Sequence, residues 1–155
     1  MRKVYVSTVF EQPVDVVWAS LGDFHRVDAW MERVHTSSPE VGEQVPTIGS
    51  VRLLTVGDDH HIARERLVSY DARNRLMTYE MAQHHLPFGM TDYLATIHVL
   101  PVTDSGRTFV EWYGEYACAN AEVAPAIEAG LRDLYASFLS DLRAHLEVPV
   151  VTSPA

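Results

Sequence analysis

Apolar positions change period along this chain, and the changes divide it into elements. Residues 2–10 alternate, with Val4, Val6 and Thr8 on one face, which predicts a strand. Pro13 follows where a helix can start, because the first turn does not need its missing N–H. Val14, Val17, Trp18 and Leu21 recur at spacings of three and four, a one-sided helix that Gly22 ends. A second short helix is expected from about His25 to Trp30. From Arg33 the period drops to two, giving strands over 33–40, 49–56, 60–71, 75–83, 90–102 and 107–118. Turn-forming clusters separate them, among them Gly57-Asp58-Asp59, Asp71-Ala72-Arg73-Asn74 and Thr103-Asp104-Ser105-Gly106.

The last segment returns to helical spacing. Ile127, Leu131, Leu134, Phe138, Leu142 and Leu146 form an apolar stripe over roughly six turns. Asn120 can cap its start, and Pro125 fits only near the first turn. Short turns between consecutive strands imply antiparallel pairing. The class is therefore α+β: a strand, two short helices, six more strands and a long amphipathic helix. One sheet and one long helix must cover each other. A curved sheet that does not close fully on its helix leaves a cavity, a preferred kind of ligand site.

Composition narrows the partners. A length of 155 residues fits one domain, read as 1–147 with a flexible tail over 148–155. Acidic residues outnumber basic ones 21 to 12, a net charge of −9. That argues against a grip on nucleic-acid phosphates and against an anionic membrane surface. The lone Cys118 allows no intrachain disulfide. No run has the length of a membrane-spanning helix, and the N-terminal residues lack the apolar stretch of a signal peptide. A soluble, cytoplasmic protein, monomer or homodimer, is the expectation.

Strand parity assigns inner and outer faces, because residues i, i+2 and i+4 share a side. In 60–71, one set holds His61, Ala63, Glu65, Leu67 and Ser69; the other holds Arg64, Arg66 and Tyr70. Two arginines are cheap in solvent and costly in a core, so the Glu65 set should face inward. The same test turns Tyr93 and Ala95 inward, and Met77, Tyr79 and Met81. The strand 107–118 is ambiguous. Two glutamates on its other face place Trp112 and Tyr116 inside unless a bulge reverses them. The expected ligand-binding wall is Leu54, Val56, Leu67, Met77, Tyr79, Met81, Phe88, Ala95, Trp112 and Tyr116, with Phe138 and Leu142 from the helix. It suits a flat, apolar ligand carrying one or two oxygens.

Three residues are candidates for chemistry: Glu65, Tyr93 and His61. A carboxylate facing an apolar interior is expensive unless paired, so Glu65 is either a general acid/base, an anchor for a ligand, or a partner for Tyr93 or water. His61 lies about 13 Å from Glu65 along the strand at roughly 3.3 Å per residue, so the two are not natural partners. The favoured reading of His61 is a histidine at the cavity edge, near the mouth. The eight histidines include His60-His61 and His84-His85, but no HExxH or cysteine-based spacing exists, and no metal is assigned. No nucleotide-binding or nucleophile-elbow motif is present either, so no cofactor is assigned.

Several segments carry a resemblance: Pro13 with Val17-Trp18, Asp23-Phe24 with Trp30, Ile48-Gly49-Ser50-Val51-Arg52, Glu65-Arg66-Leu67 with Tyr70-Asp71, Tyr79-Glu80, Tyr93 with Ala95-Thr96-Ile97, and Val110-Glu111-Trp112. In this order the chain resembles the START-related (SRPBCC) superfamily, and within it the polyketide cyclase/dehydrase and lipid-transport branch, over residues 2–147. The resemblance implies the helix-grip fold, a curved seven-stranded antiparallel sheet wrapped around the C-terminal helix. In abscisic-acid receptors, the glutamate and tyrosine matching Glu65 and Tyr93 line the ligand cavity. Their loops matching Gly57–His60 and His84–Gly89 act as gate and latch, with Phe88 here placed to plug the entrance or simply to turn a hairpin. The receptors' gate proline is absent between Val56 and His60, so the hormone-receptor function is not carried over. The resemblance implies cyclisation or dehydration of a polycyclic or polyketide-like substrate without cofactor. Alternatives are a non-catalytic carrier or sensor of a lipid or aromatic metabolite, and a chaperone-activator-like interaction domain.

Overall fold

The computed structural model describes residues 1–42, 45 and 47–148. Seven strands are present: β1 (Arg2–Phe10), β2 (Val34–Pro39), β3 (Val51–Val56), β4 (His61–Asp71), β5 (Leu76–Met81), β6 (Met90–Val102) and β7 (Arg107–Cys118). They form one curved antiparallel sheet in the order β1-β7-β6-β5-β4-β3-β2. Only β1 leaves the sequential order, pairing with β7 from Arg2 opposite Tyr116 to Phe10 opposite Thr108. Helix α1 (Val14–Leu21) follows β1, and α2 (Ala124–Leu146) closes the described chain. Among the described residues no helix is long and apolar enough to cross a membrane. The tail expected over 148–155 lies outside the described residues beyond Val148.

Local chemistry fixes these boundaries. Pro13 precedes α1 with extended backbone, and its carbonyl accepts from the N–H groups of Val16 and Val17. Gly22 ends α1 for a steric reason: a β-carbon there would lie 2.5 Å from the Trp18 ring. That ring packs on Tyr70 of β4, 5.6 Å between centroids, and the Tyr70 hydroxyl donates to the Gly22 carbonyl. The second short helix expected over 25–30 is only a 3₁₀ turn, Val27–Ala29. Its flanks leave helical geometry at Arg26 (φ −126) and Trp30 (φ −138) as Phe24, Val27 and Trp30 turn into the core. Asn120 caps a 3₁₀ turn leading into α2 by accepting from the Glu122 N–H.

Two bulges move side chains that simple alternation misplaces. In β4, Leu67 pairs with Tyr79 and Ser69 with Thr78, so Val68 is an extra residue. Beyond it, Tyr70 turns to the inner face and Ser69 to solvent, the reverse of their expected sides. In β6 the register shifts between Met90 and Asp92, which lets both Met90 and Tyr93 face inward. Strand β7 runs without a bulge opposite β1, so Val110, Trp112, Gly114 and Tyr116 are all buried.

His25, just before the 3₁₀ turn, is fully buried. Its carbonyl accepts from Ser37 Oγ at 2.7 Å, and its Nε2 lies 3.3 Å from Ser50 Oγ. Its Nδ1 is buried without a partner. Burial holds the imidazole's pKa below the ordinary histidine value, with the Arg52 charge adding to this and Asp23 opposing it. The fold therefore prefers neutral His25. Its contribution is complete above the unfolded pKa of about 6.5 and is lost as pH falls through the lower folded value. Urea midpoints should be flat just above neutrality and fall on acidification, and His25→Phe should reduce that slope. An unchanged slope in His25→Phe would assign the acid sensitivity elsewhere.

Candidate functional site

Between the concave side of β3–β7 and α2 lies a cavity of about 220 Å³. Leu54, Val56, Tyr79, Met81, Phe88, Trp112 and Phe138 line it, together with Glu65, Tyr93 and His61. Five residues expected on its wall do not reach it. Leu67, Met77, Ala95, Tyr116 and Leu142 face the same side but are sealed in the core. Parity fixes a side, not a depth, and these five are buried to 1% exposure or less. Tyr116, for example, donates from its hydroxyl to the Ala124 carbonyl, with Glu128 Oε1 at 3.1 Å, at the start of α2. Other lining residues were not anticipated: Met31 and Val34 from the segment before and into β2, Arg52, Met90, and Leu131, Leu134 and Tyr135 from α2.

The centre of the polar wall is an ion pair. Arg52 stands directly opposite Glu65 across the β3–β4 ladder. Both its Nε (2.7 Å) and Nη2 (2.6 Å) contact Glu65 Oε2. Nη1 donates to the Phe24 carbonyl at 2.7 Å, and the guanidinium lies 4.2 Å from the Phe24 ring centre and 5.1 Å from that of Tyr79. The Arg52 side chain is only 3% exposed and that of Glu65 12%. Glu65 thus presents Oε2 to the arginine, and its Oε1 accepts no hydrogen bond among the described residues. Sequence held the signal for this pair. Arg52 shares parity with Leu54 and Val56, and a hairpin that pairs 56 with 61 pairs 52 with 65.

Three phenols, those of Tyr79, Tyr93 and Tyr135, line the same cavity as Glu65. The hydroxyls of Tyr93 and Tyr135 are 2.5 Å apart. Trp112 Nε1 donates to the Tyr79 hydroxyl at 3.2 Å. Burial raises the pKa of Tyr79 well above its ordinary value, and the Glu65 charge adds to this. Burial does the same to Tyr93, reinforced by Tyr79 and Tyr135, and it also raises Tyr135. All three therefore act as neutral hydrogen-bond donors rather than as bases. In the Tyr93–Tyr135 pair one hydroxyl donates to the other, so one O–H remains for a ligand. Tyr79 accepts from Trp112 and likewise keeps its own proton to give.

The mouth is built differently. His61 is half exposed, and its Nδ1 is 2.8 Å from Asp59 Oδ1, a local contact that points it away from Glu65's chemistry. His60 stacks on His35, 4.2 Å between ring centres. Among the described residues no three His, Cys, Asp or Glu side chains come together as a metal site requires. Opposite His61, the 3₁₀ turn Pro87–Gly89 puts Phe88 in the left-handed region (φ 62). Its ring rests on α2 at Gly130, where even a β-carbon would come within 3.1 Å of it.

A sheet wrapped on one long helix is also what similar solved structures display. The sequence profile of the polyketide cyclase / dehydrase and lipid transport family matches residues 1–147. The chain belongs to that family. A solved structure from Nitrosospira multiformis is similar, with 28% identity and a TM-score of 0.79, covering 95% of this chain and 97% of that one. The major latex-like protein 151 of Panax ginseng shares 23% identity with a TM-score of 0.76, over 96% of this chain and 98% of that one. The di-domain ARO/CYC protein BexL of the BE-7585A biosynthetic pathway shares 13% identity with a TM-score of 0.81. That match covers 96% of this chain and 47% of BexL. At these identities the last two show the shared helix-grip fold alone. No curated protein matches the chain.

The ion pair makes a stability prediction. Breaking a buried pair by removing one partner strands the other charge, at a cost of about 3–5 kcal/mol. Arg52→Met should lose stability of that order in urea unfolding, and the double variant Arg52→Met/Glu65→Leu should recover a good part of it. Equal losses in the single and double variants would show that Arg52 acts only through Phe24.

Proposed function

We propose that this protein binds a hydrophobic, ring-bearing or polyketide-like small molecule in the cavity and promotes its cyclisation and dehydration without a cofactor. The observation that carries this reading is one wall with two phenol protons to give and one carboxylate oxygen to accept, set in an otherwise apolar space.

The chemistry follows from those positions. Glu65 Oε1 takes a proton from a carbon beside a carbonyl, and a phenol O–H stabilises the enolate oxygen. The enolate carbon attacks a second carbonyl of the same folded molecule, forming the ring bond. The new alkoxide regains the proton from Glu65. In dehydration, Glu65 takes a second carbon-bound proton and returns it to the departing hydroxyl, releasing water. The protein ends unchanged, and the apolar walls contribute by holding the reacting ends together. His61, on the solvent side, is assigned to the mouth in this reading.

The ion pair supports a second reading, a non-catalytic carrier or sensor. A carboxylate already held by a guanidinium serves well as a fixed polar anchor. One variant separates the two. Glu65→Gln keeps a polar group of the same shape but removes the base. With a 1,3-dicarbonyl aromatic precursor as probe, turnover should fall by about 10²–10⁴-fold while binding stays within a few-fold. Binding and turnover lost together, or no turnover by the unaltered protein, would favour the carrier.

A further inference from the structure

We propose that Tyr135 sets the size of the ligand, limiting the site to one substituted ring or two fused rings. The inference rests on the reading that the cavity takes a hydrophobic small molecule, and it says which ones.

Volume gives the scale. A dry apolar cavity of about 150 Å³ is filled by a single benzene ring. At about 220 Å³ this cavity has room for one ring with substituents or for two fused rings. It also falls below the roughly 300–1,000 Å³ usual for larger organic ligands.

Tyr135 is the residue that closes the space. Its ring stacks on Trp112, 5.3 Å between centroids and 13° between planes. Its hydroxyl holds Tyr93 and lies against the backbone of β7 at Gly114, where any β-carbon would overlap it. The cross-strand partner of Gly114 is Ala95. Two of the smallest residues in the sheet therefore sit side by side where the tyrosine enters. The room they leave is filled from the helix, which is why Ala95 is sealed in the core rather than exposed to the cavity. The ring is held on one side by Trp112, through its hydroxyl by Tyr93, and at its tip by β7. The opposite boundary is softer. Met31, Met81, Met90 and the half-exposed Phe88 can adjust, so ligand shape is tolerated at the mouth and ligand length is stopped at Tyr135.

The test uses the full chain and two probes, 2-naphthol with two fused rings and 1-hydroxyanthraquinone with three, titrated calorimetrically. The unaltered protein should bind 2-naphthol and bind the three-ring probe at least about tenfold more weakly, since even one misplaced methylene costs about that much. Tyr135→Leu should reverse the preference by tightening the three-ring probe at least about tenfold. Circular dichroism checks its fold, and Tyr135→Met serves if the leucine variant does not fold. Equal binding of both probes by the unaltered protein would overturn the size limit and leave the ligand-binding reading standing. A folded variant with no gain for the larger probe would overturn the role of Tyr135. Binding of neither probe would overturn the hydrophobic-ligand reading itself.

Discussion

Burying a guanidinium beneath a sheet is expensive, and the architecture around the cavity is organised by how that cost is met. Arg52 is almost wholly removed from water, and every face of its head group is engaged. Glu65 neutralises it from the neighbouring strand, the Phe24 carbonyl takes a third donor, and two aromatic rings cover its faces. These contacts tie the connection after α1 to β3 and β4, near one edge of the sheet. Met31 and Val34, which wall one side of the cavity, follow directly in sequence. A single side chain thus sets the electrostatics of the polar wall and anchors the segment forming the adjacent apolar one. The same neighbourhood leaves His25 buried with one ring nitrogen unpartnered, next to a permanent positive charge.

The second constraint is close packing between α2 and the sheet. Gly114 admits the Tyr135 hydroxyl against β7, and Gly130 seats the Phe88 ring on α2, so each glycine leaves room for an aromatic ring at the contact. Surrounded by apolar walls, the phenols keep their protons, so each can donate as well as accept. The polar groups of the site are consequently in position before any ligand arrives. This kind of preorganisation lets modest groups contribute to binding or to catalysis.

Much of this was legible in the sequence, and the rest was hidden for definable reasons. All seven strands fall within about two residues of the alternation pattern, because period two and turn residues are local signals. The solvent preference of Arg64 and Arg66 correctly turned Glu65 inward. That same preference hid Arg52, since an inward arginine is tolerated only once its cross-strand partner is considered. Tyr70 and Ser69 were exchanged by a one-residue bulge that leaves no mark in composition. On α2, the expected stripe ran through Leu134 and Phe138, yet the buried axis passes through Ile127, Leu131, Tyr135, Leu139 and Leu142. An apolar stripe at least about 100° wide includes both rows, and a tyrosine reads as polar until its hydroxyl has a partner. The resemblance to the helix-grip fold supplied the curvature that alternation alone does not.

Depth within the fold decides which inward residues meet a ligand. Leu67, Met77, Ala95, Tyr116 and Leu142 share faces with true lining residues but are sealed in the core away from the cavity. The gap opens around Glu65, Tyr79, Tyr93 and Trp112, where the chain places its polar atoms. Closing the gap with larger apolar side chains would add burial, worth roughly 25 cal/mol per Å² of surface removed from water. The fold instead keeps open space beside an ion pair and three donors, an arrangement that costs stability. A cavity held open against that cost, with its polar groups converging on one wall, is best understood as a ligand site rather than as imperfect packing.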